Sequence, residues 1–411
     1  MKFESYNIAQ EINQNLAKEG FKRPTDIQFK SIPPILRGED VLAIAQTGTG
    51  KTAAFAIPVL SKLYYKKNRK GLSCLVMVPT HELATQIAQV FETLGKGTTV
   101  KVACVHGGVD QQPQIEKLKK ADVLVATPGR MFDLMHQNHI NLSQIDTLIL
   151  DEADQMLALG FYKDIKDVLK HIPRKHQTLF FSATIDENIK KLAYSLVHNP
   201  IRIQISPKDP VSKNVDHSVM EVIMDDKRFF LERIHNENDG KKILVFVRTK
   251  VRAERVAKAM ERVNIKSEVL HGDKNQTERV HALEQFKTGA SKMLITTDVS
   301  ARGIDIPGVE LVINYDIPEQ PESYVHRVGR TGRGTQKGFA ISFCSPEEKE
   351  LFNNIEKYIG KNVKVINVDN KEYAATIDFS EDNQKDINSL LSEIEFLENK
   401  KRKAYKGKKK K

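Results

Sequence analysis

Lys51 and Thr52 close the run Ala45-Gln46-Thr47-Gly48-Thr49-Gly50-Lys51-Thr52, and the chemistry of these residue types is phosphate binding. Glycines let consecutive backbone N–H groups turn toward phosphate oxygens, and a helix N-terminus behind them adds a favourable dipole. A lysine at that point neutralises β- and γ-phosphates, and a threonine hydroxyl can ligate Mg²⁺. The flanks suit this use: residues 41–44 are an apolar strand pattern, and 53–57 open a helix. Strand, glycine-rich loop, Gly-Lys-Thr and helix make a P-loop, the arrangement that holds a nucleoside triphosphate. Ala45 stands where a glycine is usual, so the general pattern is one residue short; a flexible Gly/Thr loop is the competing reading.

Three further groups could serve the same chemistry. Asp151-Glu152-Ala153-Asp154 follows the apolar run Leu148-Ile149-Leu150. Asp151 there suits the Mg²⁺ side of a triphosphate, and Glu152 is placed to orient or deprotonate an attacking water. An acidic helix cap would have the same composition. Secondly, His326-Arg327-Val328-Gly329-Arg330-Thr331-Gly332-Arg333 spaces three arginines by three, with glycines that allow close approach. Guanidinium forks suit a γ-phosphate whose charge is redistributing, and an RNA-facing basic surface is the alternative. Thirdly, Gln28 carries an amide with the donor and acceptor that an adenine edge requires, and Phe3 could stack on the base; a packed surface turn reads equally well.

The elements that position these groups alternate. In the first half, strand-like runs at 73–78, 100–105, 123–126, 148–150 and 178–181 each lead into a polar cluster: Pro79-Thr80, Gly107-Gly108, Thr127-Pro128-Gly129-Arg130, Asp151 and Ser182-Ala183-Thr184. Continuously apolar strands between helical stretches indicate a parallel, doubly wound sheet, whose carboxyl edge is where such sheets bind ligands. Before them, a helical pattern stops at Gly20 and a second helix begins at Pro24-Thr25. A second series, with strands at 242–247, 267–270, 293–296, 311–315 and 339–343, has no P-loop. The expected organisation is an α/β chain with domains at 1–205 and 220–365, a linker at 206–219, and a helical, lysine-rich tail at 366–411 whose stripe is Ile387, Leu390, Leu391, Ile394 and Leu397.

With 411 residues, two domains are the natural division. No apolar run approaches the roughly 18–20 residues that span a bilayer, and the first residues do not resemble a secretion signal. Cys74, Cys104 and Cys344 have no metal-ligand spacing and read as reduced core residues, which predicts a cytoplasmic location. Residues 400–411 hold nine Lys/Arg and no acid; subtracting these nine from the net charge of +11 leaves +2. The excess is a tail suited to polyanions by counterion release, or to solubility alone.

In order and spacing these elements resemble a DEAD-box ATP-dependent RNA helicase over residues 3 to about 345. Gly20-Phe21, Pro24-Thr25 and Ile27-Gln28, with Phe3 upstream, resemble the Q motif. Residues 45–52 resemble motif I, where alanine is the usual first residue. Residues 79–86 are similar to motif Ia, Gly107-Gly108 to the GG doublet, 127–130 to motif Ib, 151–154 to motif II and 182–184 to motif III. Residues 244–249 resemble motif IV, 276–279 the Gln-x-x-Arg element, 297–305 motif V and 326–333 motif VI. Gly360 and its surroundings suggest a bacterial, RhlE-type branch.

The resemblance implies two RecA-like domains that close around ATP and single-stranded RNA. Adenine would be read by Phe3, Phe21 and Gln28. Gln46, Thr47, Gly48, Thr49, Gly50, Lys51 and Thr52 would hold the phosphates, with Thr52 and Asp151 on Mg²⁺. Glu152 would position water, Arg330 and Arg333 would be arginine fingers, and Asp305 would meet the ribose. Asp154, Ser182, Thr184 and His326 would couple nucleotide to closure. Pro79, Thr80, Gly108, Thr127, Arg130, Gly272, Arg279 and Thr297 would touch the RNA backbone, with little sequence information and 2′-hydroxyls as the discriminator from DNA. Ribosomal or RNA-decay proteins are the partners that bacterial relatives suggest. His81 departs from the family's usual arginine. The other activities the residues leave open are a translocating DNA helicase and an ATP-gated RNA clamp or annealing chaperone.

Overall fold

The computed structural model describes residues 2–45, 48–69, 71–184, 187–205, 211, 214–301, 306, 308–332 and 337–380. Gln46, Thr47, Asp305, Arg333, the stripe 387–397 and the lysine tail lie outside them. The chain divides near residues 209 and 210 into two compact units.

Unit 1 is built on seven strands: β1 Val41–Ala45, β2 Cys74–Met77, β3 Val102–Val105, β4 Val123–Ala126, β5 Thr147–Leu150, β6 Gln177–Ser182 and β7 Ile201–Ile205. They are ordered β3-β4-β2-β5-β6-β1-β7 and pair in parallel. β1, β2, β4 and β5 are buried along their whole length, as a strand covered by helices on both faces must be. The two-residue period divides β1 between two cores. Val41, Ala43 and Ala45 face Phe55 and Phe91, while Leu42 and Ile44 face Met131 and Met156.

Unit 2 repeats the plan with β8 Val215–Glu221, β9 Ile243–Phe246, β10 Ser267–Leu270, β11 Met293–Thr296, β12 Leu311–Asn314, β13 Gly338–Cys344 and β14 Lys364–Ile366. Their order is β10-β11-β9-β12-β13-β8-β14, again parallel.

The boundaries move in two places. Residues 215–219, expected as linker, belong to β8, which pairs with β13 from Val215↔Gly338 to Cys344↔Glu221. Asp216, His217 and Ser218 hide the strand from an apolar-run reading, and the buried His217 is hydrogen bonded through Nδ1 to the Tyr324 hydroxyl at 2.8 Å. Unit 2 also extends past 365. β14 adds an edge to β8, and the helix Asn370–Asp378 packs on the helix Lys227–Glu237, where Tyr373 donates to Asp226 at 2.9 Å.

Candidate nucleotide site and nucleic-acid edges

The phosphate loop of unit 1 is set by two backbone positions. Gly48 (φ 79°) and Gly50 (φ 93°) adopt left-handed conformations, and Gly50 is the N-cap of the helix Lys51–Tyr65. A Cβ on Gly50 would lie 2.5 Å from Gln28 Nε2, so glycine is also required for space. Gln28 sits in the first turn of the helix Asp26–Arg37 and forms a reciprocal capping box with Thr25. Its Oε1 accepts from Thr25 N at 3.0 Å, and its Nε2 donates to Gly50 O at 3.2 Å. Thr25 Oγ1 donates to Thr49 O at 2.8 Å. The element expected to read adenine is thereby fastened to the phosphate loop. A primary amide has two donors and two lone pairs, so one of each remains for a base.

Phe3 is buried, and its ring meets Phe21 edge-on at 6.1 Å. Phe21 is only half-buried. Of the two aromatics it is therefore Phe21 that keeps an accessible surface, and Phe3 supports it.

Lys51 and Glu152 meet in unit 1 although 101 residues separate them. Lys51 Nζ donates to Glu152 Oε1 at 3.1 Å, both side chains being 5% exposed. Gln155 Nε2 donates to Glu152 Oε2 at 3.0 Å, and Glu152 N donates to Asp151 Oδ1 at 3.0 Å. Glu152 holds φ 53°, ψ 47°, a left-handed conformation that an L-residue adopts at a cost of roughly 1–3 kcal/mol. Burial lowers the lysine's proton affinity, but the attraction of Glu152, Asp151 and Asp154 outweighs it, and the Lys51 pKa ends above its ordinary value. Burial raises the Asp151 carboxyl to about 7, helped by Glu152 and opposed by Lys51. Asp151 with the half-buried Thr52 supplies hard oxygen donors, which fit Mg²⁺. Among the described residues no group of three His, Cys, Asp or Glu could cage an ion, and Mg²⁺ held partly by substrate phosphates and water needs none.

Of the residues expected to couple nucleotide to motion, Asp154, Ser182 and Thr184 belong to unit 1, and His326 lies on the helix Pro321–Val328 of unit 2. Thr184 Oγ1 donates to Asp154 Oδ2 at 3.2 Å, while Asp154 Oδ1 and Ser182 Oγ are buried without a hydrogen-bond partner among the described residues.

In unit 2, Arg330 is 4% exposed in the turn after the helix Pro321–Val328. Its neighbour Arg327 is internally committed. Arg327 forks onto Asp298 at 2.6 and 2.8 Å and donates to Asp316 O at 2.6 Å. Spacing alone does not reveal that commitment of Arg327, since both arginines belong to one regular repeat.

The expected RNA residues of unit 1 fall at the carboxyl ends of three adjacent strands. Pro79 and Thr80 follow β2, Gly108 (φ 77°) follows β3, and Thr127 follows β4. Thr80 caps the helix His81–Leu94, its Oγ1 accepting from Leu83 N at 3.3 Å. Arg130 donates twice to Val109 O at 3.1 Å and so shapes the loop that carries Gly108. Thr127 is 5% exposed, which leaves mainly its backbone and the helix start beyond it for a phosphate. The His81 and His106 rings stack at 5.1 Å.

Unit 2 repeats the shelf. Gly272 follows β10 and Thr297 follows β11, while Arg279 Nη1 donates to His271 O at 3.4 Å. Thr249, not singled out from the sequence, caps the helix after β9 as Thr80 does after β2. The two share φ −131°, ψ 154°, and Thr249 Oγ1 accepts from Arg252 N. A threonine directly after an apolar strand was the available signal.

Comparison with known proteins agrees with this geometry. The family model described as DEAD/DEAH box helicase matches residues 25–192, and that described as Helicase conserved C-terminal domain matches 226–335. The DEAD-box ATP-dependent RNA helicase CshA of Geobacillus kaustophilus is 40% identical over 86% of this chain and 76% of its own. Its namesake from Bacillus subtilis is 39% identical over 86% and 72%. Among solved structures, S. cerevisiae Dbp5 bound to RNA and ADP BeF3 superposes with a TM-score of 0.82 at 30% identity, covering 92% of this chain and 98% of that one. The DEAD-box helicase Mss116 bound to ssRNA and UDP-BeF gives 0.81 at 25% identity, covering 97% and 87%. Two RecA-like units, the fastened phosphate loop and these relatives together place the chain in the DEAD-box ATP-dependent RNA helicase family.

Proposed function

We propose that this chain hydrolyses ATP in an RNA-stimulated manner and uses the cycle to separate short RNA duplexes locally. The observation that carries the reading is the buried Lys51–Glu152 pair beside a phosphate loop that Gln28 and Thr25 hold from outside. In the assigned roles, Gln28 and Phe21 receive adenine, with Phe3 behind them. Residues 46–52 hold the phosphates. Thr52, Asp151 and phosphate oxygens would hold Mg²⁺, which would supply positive charge against the developing negative charge. Lys51 releases Glu152 when it turns to the phosphates, and Glu152 then orients the attacking water. Arg330 and Arg333 supply guanidinium charge to the γ-phosphate and Asp305 meets the ribose as the units close. Asp154, Ser182, Thr184 and His326 transmit the nucleotide's state.

Single-stranded RNA would lie on the two strand-end shelves, at Pro79, Thr80, Gly108, Thr127 and Arg130 in unit 1 and at Thr249, Gly272, Arg279 and Thr297 in unit 2. These contacts are to sugar and phosphate and carry little sequence preference. The unpaired Cys74, Cys104 and Cys344 support a cytoplasmic location; no described helix is long and apolar enough to cross a membrane. Ribosomal or RNA-decay partners rest on the family resemblance alone. So does an RhlE-type branch: Gly360 serves as a helix C-cap with φ 72°, a local need, and the relatives compared carry the CshA name.

Steady-state ATPase rates without nucleic acid, with single-stranded RNA and with DNA of equal length test the reading. Strong stimulation by RNA alone is expected. Equal stimulation by DNA would point to a translocase, and RNA-stimulated hydrolysis without duplex separation to an ATP-gated clamp.

A further inference from the structure

Unit 2 carries a cleft that no step above uses. It lies between the helices Lys227–Glu237 and Lys250–Arg262 and encloses about 730 Å³. Its lining holds Arg228, Arg255, Lys258 and Arg262 with one acid, Asp225, and also Arg252, which is paired with Asp316 at 3.2 Å. Its lining is also partly apolar, with Val256, Tyr315 and Val251, the last 58% exposed. An occupant should therefore pair negative charge with an apolar stripe. An RNA strand offers the charge without the aliphatic stripe.

The chain itself contains such an occupant. Residues 381–398 hold six acids and one lysine, and Ile387, Leu390, Leu391, Ile394 and Leu397 recur at helical spacing. The described chain ends against the helix Lys227–Glu237, which contributes Arg228 to the cleft. Ser380 donates to Glu232 at 2.5 Å, on the same helix Lys227–Glu237 that forms one wall. Residues 381–386 can span up to about 20 Å extended, enough to cross one helix of about 10 Å diameter. As a helix, residues 387–397 would be about 16 Å long, against about 20 Å for Lys250–Arg262.

We propose that residues 387–397 dock as an amphipathic helix in this basic cleft of their own unit 2. The docked helix holds the lysine tail that follows it against unit 2.

Hydrogen exchange on the full-length protein tests this, with R255E/K258E as the disrupting variant and E393K/E395K added as the compensating charge swap. Amides of 387–397 are expected to exchange at least about tenfold more slowly than an unstructured chain. Charge reversal should lose that protection and the swap should restore it, with β8–β13 unchanged throughout. Free exchange of the segment in the unaltered protein, or protection indifferent to the reversal, overturns the proposal. Protection that fades on dilution would assign the cleft to a second copy instead. Intact protection with weakened RNA binding in R255E/K258E would make the cleft part of the RNA path.

Discussion

Strand by strand, the two units build one sheet twice, and the same two positions are filled with opposite results. β1 corresponds to β8 and β5 to β12 in the shared order. Behind the first of these, Lys51 opens one helix and Lys227 the other. After the second come Asp151 and Asp316. In unit 2 the positions are closed by the protein itself. Lys227, fully buried, donates to Glu348 Oε2 at 2.5 Å and to Tyr315 O at 2.8 Å, and Asp316 accepts from Arg248 N at 2.8 Å. Burial outweighs the attraction of Glu348, so the Lys227 pKa falls below its ordinary value, whereas that of Lys51 rises. In unit 1 a glycine loop precedes the lysine, and its carboxylate partner, Glu152, is also the residue suited to activate water. One scaffold thus places its lysine either behind a glycine loop, as the proposed phosphate-binding role requires, or within a closed structural ion pair.

Mutating the two lysines separates these roles. Lys51→Ala should lower the ATPase rate by at least about 10²–10³-fold, the usual cost of removing one charge-stabilising donor. Glu152→Gln should reduce turnover by a similar factor, about 10²–10⁴ for general-base assistance, while nucleotide binding persists. Retained turnover in this variant would refute the role assigned to Glu152. Lys227→Met should instead leave nucleotide affinity intact and cost unit 2 about 3–5 kcal/mol, because Glu348 loses its buried partner. Thermal unfolding reads that loss. An unchanged melting temperature with weakened nucleotide binding would collapse the contrast.

Legibility in the sequence followed the same division. Strands buried on both faces, such as Cys74–Met77 and Ile243–Phe246, announce themselves by apolar runs, and the polar clusters after them mark the sheet edge. β8 did not, because Asp216, His217 and Ser218 interrupt its pattern; nor did the short edge strands β7 and β14, which are largely exposed. Within the site, Lys51, Asp151 and Glu152 stood out by residue type, and the structure brings Lys51 and Glu152 together. What spacing could not supply was partnership: that Arg327 is consumed by Asp298, that Gln28 grips Gly50, and that Lys227 mirrors Lys51.

The grip of Gln28 on the phosphate loop, through Gly50 O, can be broken alone. Gly50→Ala forces a Cβ to within 2.5 Å of Gln28 Nε2 at a left-handed backbone position. Strain of about 1–3 kcal/mol should weaken adenine nucleotide binding by roughly 5- to 150-fold. If Gln28 positions the base, a Gln28→Ala background should remove the steric part of that penalty. Equal penalties in both backgrounds would leave backbone strain as the whole cause.

The smallest expected effect lies on the matching strand-end shelves proposed to carry RNA. Thr80 and Thr249 cap matching helices, but the next residue is His81 in one and Lys250 in the other. Lys250 is a permanent cation, partnered by Asp273 at 2.7 Å across the corresponding loop. His81 stacks on His106 instead, and a neutral imidazole brings neither lasting charge nor a bidentate fork to a phosphate. His81→Arg should therefore tighten single-stranded RNA binding a few-fold. If the new guanidinium meets one phosphate, the slope of log affinity against log salt should steepen by about 0.7. An unchanged affinity and salt slope in the variant would show that this position does not face RNA, and that the two shelves differ in more than their charge.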